Sequence, residues 1–527
     1  MLKPILSIAA ITLAVPTLLG QQFPQDLVFR AFPDSGPNTD AQASRDVALG
    51  DFDRDGDLDL FVANLDQDNA FYLNDGEGNF TRELTGPLVT DGGNSRGIAL
   101  GDIDGDGDLD IFVANSRNEA NFLYENKGGL VFERRLFGPV ATDIGNSRQA
   151  EFFDVDGDGD LDLYVTNFNF EANFLYINQG GDQNGTEGRF ARKLTGDAAT
   201  DEDSTYGLCF GDVDGDEDLD LFVTNHSDVI GAPGLPNWLY LNDGSGEFTR
   251  SETGLQSTDF NNSLACALAD TDNDGDLDLF VGNTIGQHNQ IFLNDGTGQY
   301  TSRPQSVMTI DRGKSIGVEF FDADGDGDLD AMVANRSPNI SSEFYINLGD
   351  NRWARQGFGP LTLNRRDSYD VAIGDLDDDG RPDMVFANLG SGNDLYRNLG
   401  KQWNDLGGFL AGGETAPTLN SEGNFLAGEV TRFVITEVPV GSRAFFLVGD
   451  ALTYSSFLGG TLVLDSSRIA RVFMAENAGP ETSVEIKAKI PDEGLPADMR
   501  IGFQAWIEDV RGPAGYTATN GLRVLTP

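Results

Sequence analysis

From about residue 45 to residue 400 the chain alternates short apolar runs with clusters of Asp and Gly at a nearly fixed spacing. The segment Asp51-Phe52-Asp53-Arg54-Asp55-Gly56-Asp57-Leu58-Asp59, followed by Leu60-Phe61-Val62-Ala63-Asn64, recurs from Asp102, Asp154, Asp212, Asp270, Asp322 and Asp375, at intervals of 51, 52, 58, 58, 52 and 53 residues. Each copy opens with an apolar segment such as Arg96–Leu100 and passes through the Asp loop into a run dense in β-formers. A variable loop then leads to a segment like Asn121-Phe122-Leu123-Tyr124. Turns such as Asn74-Asp75-Gly76 and Asn242-Asp243-Gly244 lead into Phe80-Thr81-Arg82 and Phe248-Thr249-Arg250, as tight hairpins do. No helical period is present, so each repeat predicts four short strands. Seven such units read as the blades of a propeller around a central channel; an open β-solenoid has shorter repeats. The propeller is expected over residues 24–405. Either Leu27–Phe32 or Gln402-Trp403-Asn404 is expected to supply the last strand of the final blade, and the pattern leaves both open.

Beyond Trp403 the Asp loops stop. A Gly-rich linker is expected over 406–417. Over 418–527 the alternating or apolar segments Glu429–Val438, Arg443–Gly449, Thr461–Leu464, Ala470–Ala475, Ser483–Ile490, Ile501–Ile507 and Leu522–Leu525 predict a β-sandwich. The expected fold class is all-β, a seven-bladed β-propeller followed by a C-terminal β-sandwich, whose end resembles C-terminal modules of large exported bacterial proteins. At the other end, Met1-Leu2-Lys3, the apolar run Pro4–Leu19 and Gly20 have the form of a secretory signal peptide over 1–20. The run falls short of the ~20 apolar residues that span a bilayer, and no later stretch is apolar enough to do so.

A formal net charge of −51 excludes non-specific nucleic-acid binding, which depends on clustered Lys and Arg. Such acidity accompanies disorder in some chains, but 39% hydrophobic residues with 36 Phe suffice to build cores, so the charge must be concentrated for a purpose. Two cysteines, Cys209 and Cys266, make no disulfide framework. They stand one position out of phase in neighbouring repeats, which points them to opposite strand faces as buried free thiols.

Numbering each loop from its first Asp, carboxylates fall at positions 1, 3, 5 and 9 in all copies, with Asp at 7 in six of them. The candidate metal residues are Asp51, Asp53, Asp55, Asp57 and Asp59; Asp102, Asp104, Asp106, Asp108 and Asp110; Asp154, Asp156, Asp158, Asp160 and Asp162; Asp212, Asp214, Asp216, Asp218 and Asp220; Asp270, Asp272, Asp274, Asp276 and Asp278; Asp322, Asp324, Asp326, Asp328 and Asp330; and Asp375, Asp377, Asp379, Arg381 and Asp383, with Arg381 offering a backbone carbonyl. Oxygen ligands at alternating positions suit a hard cation, and calcium takes six to eight of them. Two carboxylates ~4 Å apart repel by roughly 4 kcal/mol at an effective dielectric of about 20. No Lys stands at a fixed place in the repeat, so a cation is required and about seven Ca²⁺ sites are expected. Gly at position 6 permits the sharp turn; Glu217 replaces it in the fourth loop and is expected to strain it. Leu at position 8 is expected to fill the blade core. An EF-hand is excluded because Val62 stands at position 12 in place of Glu and no flanking helices are readable.

The loop followed by Leu-Asp-Leu-Phe-Val-Ala-Asn resembles the FG-GAP or VCBS-type repeat, the calcium-binding blade also found in integrin α-subunit propellers. The resemblance covers roughly residues 24 to 405. It implies calcium loops between the first and second strands of each blade, with partners often bound on the opposite face.

On that opposite face, Arg45, Arg96 and Arg148 stand just before the inner strand, with Tyr206 and Tyr369 at the same offset. They are candidate ligand-binding residues for an anionic or sugar ligand, since Arg makes planar bidentate contacts; the plainer alternative is that they pair with nearby acids and seal the channel. Catalysis finds little support. His226 and His288 lie in variable loops without a nucleophile at a recognisable spacing, and no Gly-x-Ser-x-Gly elbow is expected. The expected function is a secreted or cell-surface, calcium-binding scaffold mediating binding or adhesion to an extracellular protein or glycan, not an enzyme. The alternatives are a polysaccharide-acting hydrolase or lyase, or a surface-layer component.

Overall fold

The computed structural model describes residues 29–398 with side chains, apart from short loop stretches such as 181–185, 228–233 and 357–365. The strand Leu27–Ala31 and the strands beyond 398 are described by their backbone. Residues 1–20 and 406–417, read as a signal peptide and a linker, lie outside the described residues.

The propeller is a ring of antiparallel four-stranded sheets. In blade three, Ser147–Phe153, Asp162–Asn167, Phe174–Asn178 and Phe190–Lys193 follow one another from the channel outward. Blade seven has only three strands of its own, Ser368–Gly374, Asp383–Ser391 and Asp394–Lys401, and the N-terminal strand Leu27–Ala31 pairs with the last of them. Trp403–Asp405 pairs instead with Tyr516–Leu525 in the C-terminal unit. Of the two closing strands the sequence allowed, the first is used, and contacts group Phe29–Asn398 as one compact unit.

The second strand of blades one to six, for example Asp162–Asn167, is buried at every residue, and that of blade seven is buried from Asp383 to Asn388. A blade is covered on both faces by its neighbours, so this strand reads as a continuous apolar run and not as an alternation. The cores are accordingly layers between blades: Phe52, Phe61 and Phe71 of blade one pack with Ile98, Ile111 and Tyr124 of blade two. Leu at position 8 serves these layers rather than its own blade. Leu109 and Leu161 lie over Gly50 and Gly101 of the preceding blades, where a side chain would collide with them.

Polar stitches run around the ring. The amides of Asn126, Asn178, Asn242, Asn294, Asn347 and Asn398 each donate to a loop carbonyl of the preceding blade, and Asn74 donates to Leu376 O (3.0 Å), which closes the circle. Nearer the channel, the residue five before the loop reaches the next blade in blades one, three and seven. Ile98 N donates to Asp46 Oδ2 (2.7 Å), Leu208 N to Gln149 Oε1 (3.1 Å) and Val47 N to Asp370 Oδ2 (3.5 Å). The equivalent residues of blades two, four and six are Gly97, Gly207 and Gly317, which leave no room for a side chain. Cys209 and Cys266 are free and both join the layer between blades four and five. Opposite strand faces in adjacent blades look at each other, and burial next to Cys209 pushes the Cys266 thiol well up.

The C-terminal unit is all-β. A five-stranded sheet is ordered Trp403–Asp405, Tyr516–Leu525, Arg500–Glu508, Arg443–Gly449 and Ile469–Glu476. A three-stranded sheet contains Leu419–Glu422, Val430–Thr436 and Ser483–Lys489, and Leu452–Phe457 pairs with Gly460–Leu464. The sequence reading missed Leu419–Glu422 and Leu452–Phe457, which are rich in Ser, Thr and Asn and carry a weak apolar signal.

Candidate metal loops and a cationic channel mouth

Each Asp loop joins the first and second strands of its blade, and its carboxylates divide the labour. In the first loop Asp51 accepts from Asp55 N (3.1 Å) and Gly56 N (3.1 Å), while Asp55 accepts from Asp57 N (3.0 Å). These bonds wrap the chain around its own carboxylates. Two residues per loop adopt left-handed backbone. Position 6 is one, with Gly56 at φ 103° and the substituted Glu217 at φ 75°, which confirms strain there for a residue bearing Cβ. Position 4 is the other, and the sequence reading missed it: Gly105, Gly157, Gly215 and Gly325 share this conformation with Arg54, Asn273 and Asp378. The signal was present, since four of the seven copies carry Gly there.

Position 9 is a clamp. Asp162 accepts from Val155 N (3.0 Å) through one oxygen and from Asn178 N (2.7 Å) through the other, tying the loop to the third strand. The pattern repeats in every blade, as with Asp110 toward Ile103 N and Asn126 N. Burial pushes these carboxyls up against the hydrogen bonds that favour ionisation, Asp110 and Asp383 to about 7 and Asp162 and Asp330 to about 8.

Carboxylate oxygens converge to within 4.8 Å of one another in Asp51/Asp53/Asp55, Asp102/Asp104/Asp110, Asp154/Asp156/Asp162, Asp212/Asp214/Asp220 and Asp270/Asp272/Asp274. Asp104 Oδ1 and Asp214 Oδ1 are buried and accept no hydrogen bond. A buried, unsatisfied anionic oxygen is costly, and a hard divalent cation is the ligand such a set fits. The residues at positions 1, 3 and 5 would hold it, with position 9 close by; it would supply the positive charge that the clustered carboxylates lack. The side chain at position 7 turns outward, as at Asp57, whose carboxylate lies against Gly76 of the adjacent turn.

In the seventh loop two arginines stand beside the carboxylates. Arg397 pairs with Asp377 at position 3, and Arg381 pairs with Asp379 at position 5. Two guanidinium groups therefore occupy part of the charge balance that a cation would provide in the other loops. In the second loop, Lys127 (3.2 Å from Asp104) and Arg54 of the first loop (3.0 Å from Asp108) lean in from the side.

At the other end of the channel, the residue six before each loop forms a ring. In blade order it reads Arg45, Arg96, Arg148, Tyr206, Leu264, Ile316 and Tyr369, and these seven residues line one cleft together with Asp46, Gln149 and Asp370. The structure thus brings together all five ligand-face candidates. It also adds Arg336, whose guanidinium lies 4.5 Å above the Tyr369 ring, with Arg45 at 3.9 Å from the same ring. Arg148 lies 4.4 Å from the Phe168 ring and 5.5 Å from Tyr206. Stacking on Tyr369 uses the guanidinium face of Arg45 and leaves its N–H edge for a ligand. Among the described residues neither Arg45 nor Arg96 has an ion-pair partner, so the alternative of pairing with nearby acids fails for both. Arg45 is 9% exposed and its Nε and Nη1 find no acceptor of hydrogen-bonding geometry. Burial, then Arg148 and Arg45, push Arg96 down to about 10. Deeper in the lumen, Glu151 and Glu319 are reached by solvent yet hemmed in by protein, which pushes them up to about 7 and about 8.

The string Gly-x-Ser-x-Gly occurs twice, at Gly93–Gly97 and Gly313–Gly317, contrary to the sequence expectation. Both serines are buried at the start of innermost strands and donate to Asn115 Oδ1 (3.1 Å) and Asn335 Oδ1 (3.2 Å), so neither forms a nucleophile elbow.

The family model described as FG-GAP-like repeat matches five overlapping stretches, 51–113, 102–165, 154–223, 224–281 and 270–333, which together span more than half of the chain. The chain belongs to the FG-GAP-like repeat family. Among curated proteins, this FG-GAP-repeat propeller is similar to cartilage acidic protein 1 of Xenopus tropicalis (25% identical over 399 residues) and of Mus musculus (25% over 407). The alignments cover 67% of this chain and 58% of those proteins, so the chain spans little more than half the length of the relatives it matches. Among solved structures, BBS1N in complex with ARL6DN matches with a TM-score of 0.44 and 11% identity, over 71% of this chain and 97% of that one. An exo-beta-1,3-galactanase from Phanerochaete chrysosporium matches at a TM-score of 0.29 and 13% identity, over 71% and 95%. Among the described residues no helix is long and apolar enough to cross a membrane.

Proposed function

We propose that this FG-GAP-repeat propeller is an extracellular binding scaffold, held rigid by calcium in its Asp loops, that grips an anionic group of a protein or glycan partner at the channel mouth. The observation that carries the reading is the arc of Arg45, Arg96 and Arg148, two of them without an ion-pair partner among the described residues, on a chain of net charge −51. A desolvated cluster of like charges is stable only at a cost, and an arriving anion relieves that cost. The converging carboxylates of the Asp loops support the same reading, because extracellular modules use weak calcium sites of about 10⁻⁴ to 10⁻³ M. The test is a glycan and protein array probed with the full chain in calcium and in EGTA, alongside an Arg45→Ala/Arg96→Ala variant. Binding that is lost in EGTA and in the variant supports the proposal; binding indifferent to both rejects it.

A further inference from the structure

The ring at the mouth is not uniformly cationic. Going around it, Tyr369, Arg45, Arg96, Arg148 and Tyr206 form one continuous arc, and Leu264 and Ile316 face them from blades five and six. A ligand seated there meets guanidinium edges on one side and hydrocarbon on the other. Its floor is made of acceptors. Asp46 and Asp370 line the same cleft one residue deeper and contact each other, and the pair keeps lone pairs beyond that contact and the backbone N–H bonds it accepts. Gln149 lies beside them with its carbonyl oxygen engaged by Leu208 N (3.1 Å), which leaves its NH₂ turned to other partners.

Three constraints narrow the ligand. Acids directly beneath the arginines, on a protein of net charge −51, disfavour a polyanion or a dianion, whose second charge would face carboxylates. The acceptor floor favours a ligand that carries hydrogen-bond donors on the side away from its charge. The cleft is small and open to solvent, so it takes the end of one chain at most and not an oligomer laid across it. We infer that the channel mouth takes a uronic-acid-type sugar residue at the end of a glycan: its carboxylate on Arg45, Arg96 and Arg148, its hydroxyls on Asp46, Asp370 and Gln149, and its C–H face toward Leu264 and Ile316. This inference rests on the proposed anion-binding role of the mouth and adds the class of ligand.

Calorimetric titration of the calcium-loaded full chain with four probes tests it: D-glucuronate, cyclohexanecarboxylate, D-glucose and glucose 6-phosphate. Glucuronate binds at least about tenfold more tightly than each of the others, since each of them lacks the charge, lacks the hydroxyls or carries a dianion. Arg96→Ala weakens glucuronate and cyclohexanecarboxylate alike, whereas Asp46→Asn removes most of the difference between them; Gln149→Ala gives the same readout should Asp46→Asn unfold. Equal binding of cyclohexanecarboxylate and glucuronate overturns the sugar assignment and leaves the anion site standing. Tighter binding of glucose 6-phosphate overturns it in favour of a phosphate ligand. No binding of any anion rejects both this inference and the reading beneath it.

Discussion

The two ends of the propeller are built from the same strands and follow opposite rules. At the loop end all seven blades carry nearly the same residues, and what those residues share is an unmet need for positive charge. At the channel mouth the equivalent position changes from blade to blade, Arg three times, Tyr twice, Leu and Ile once each, and the surplus is of positive charge. Repetition is what a ring needs to hold its blades at one spacing. Variation is what a binding site needs, because a ligand without sevenfold symmetry must be met by unequal walls. On the proposed reading the loop end governs stability and the mouth governs recognition, and the two can be perturbed separately.

The largest expected effect is removal of divalent ions. An ion that binds only the folded state stabilises it by mass action, and several sites add, so EGTA lowers the melting temperature by more than about 10 °C. An unchanged scanning-calorimetry trace would break the comparison at its root. Next is the position-9 clamp: Asp162→Ala orphans two buried backbone N–H groups and costs about 2–4 kcal/mol, measured by urea unfolding in calcium. Within the loops, the seventh sharpens the contrast. Because Arg397 and Arg381 already pair with Asp377 and Asp379, its calcium site binds at least about tenfold more weakly than the others. Arg397→Leu narrows that gap in a calcium titration.

A smaller effect belongs to the lumen. Glu151 and Glu319 ionise in the folded protein near 7 and near 8, above their ordinary 4.5, chiefly through burial, with Asp370 and Glu151 adding to the shift of Glu319. The folded state therefore binds more protons than the unfolded one in that interval. Their contribution is complete below pH 4.5 and is lost as pH rises toward 8. At saturating calcium, Glu151→Gln/Glu319→Gln flattens the decline of stability over this range. The smallest effect is at the mouth: Arg96→Ala shifts stability by less than about 0.5 kcal/mol, since it removes a guanidinium that repels its neighbours. A large loss there would mean that the mouth also holds the ring together.

Much of this was legible in the chain. The recurrent Asp loops gave the number of blades, the position of the loops and the oxygen donor set, because a repeated local motif needs no tertiary information to be seen. The roles within a loop were less visible. That Asp162 clamps two backbone amides while Asp104 keeps an unsatisfied oxygen depends on where the third strand passes, which spacing alone does not report. The packing of Leu109 on Gly50 was hidden for a similar reason, since it joins residues of different blades. So were the pairs that alter the seventh loop, where Arg397 arrives from a strand further along the chain. The order around the channel mouth could have been read by tabulating one offset across all blades; only three arginines and two tyrosines drew notice, and the apolar side of the ring did not.

The residue five before each loop has a consequence of parity. A long side chain there reaches into the next blade, and its neighbour fits best when it is small, as Gly97 and Gly207 are after Asp46 and Gln149. A circle with an odd number of members cannot alternate long and short throughout, so at least two like neighbours must meet. Here the long pair is Asp370 and Asp46, where the last blade returns to the first, while Gly207, Ala265 and Gly317 are short in succession; burial, and then the neighbouring Asp370, push the Asp46 carboxyl well up. One of the circle's mismatches thus falls at its seam, and conditions alkaline enough to ionise both carboxyls would part the propeller where its last blade meets its first.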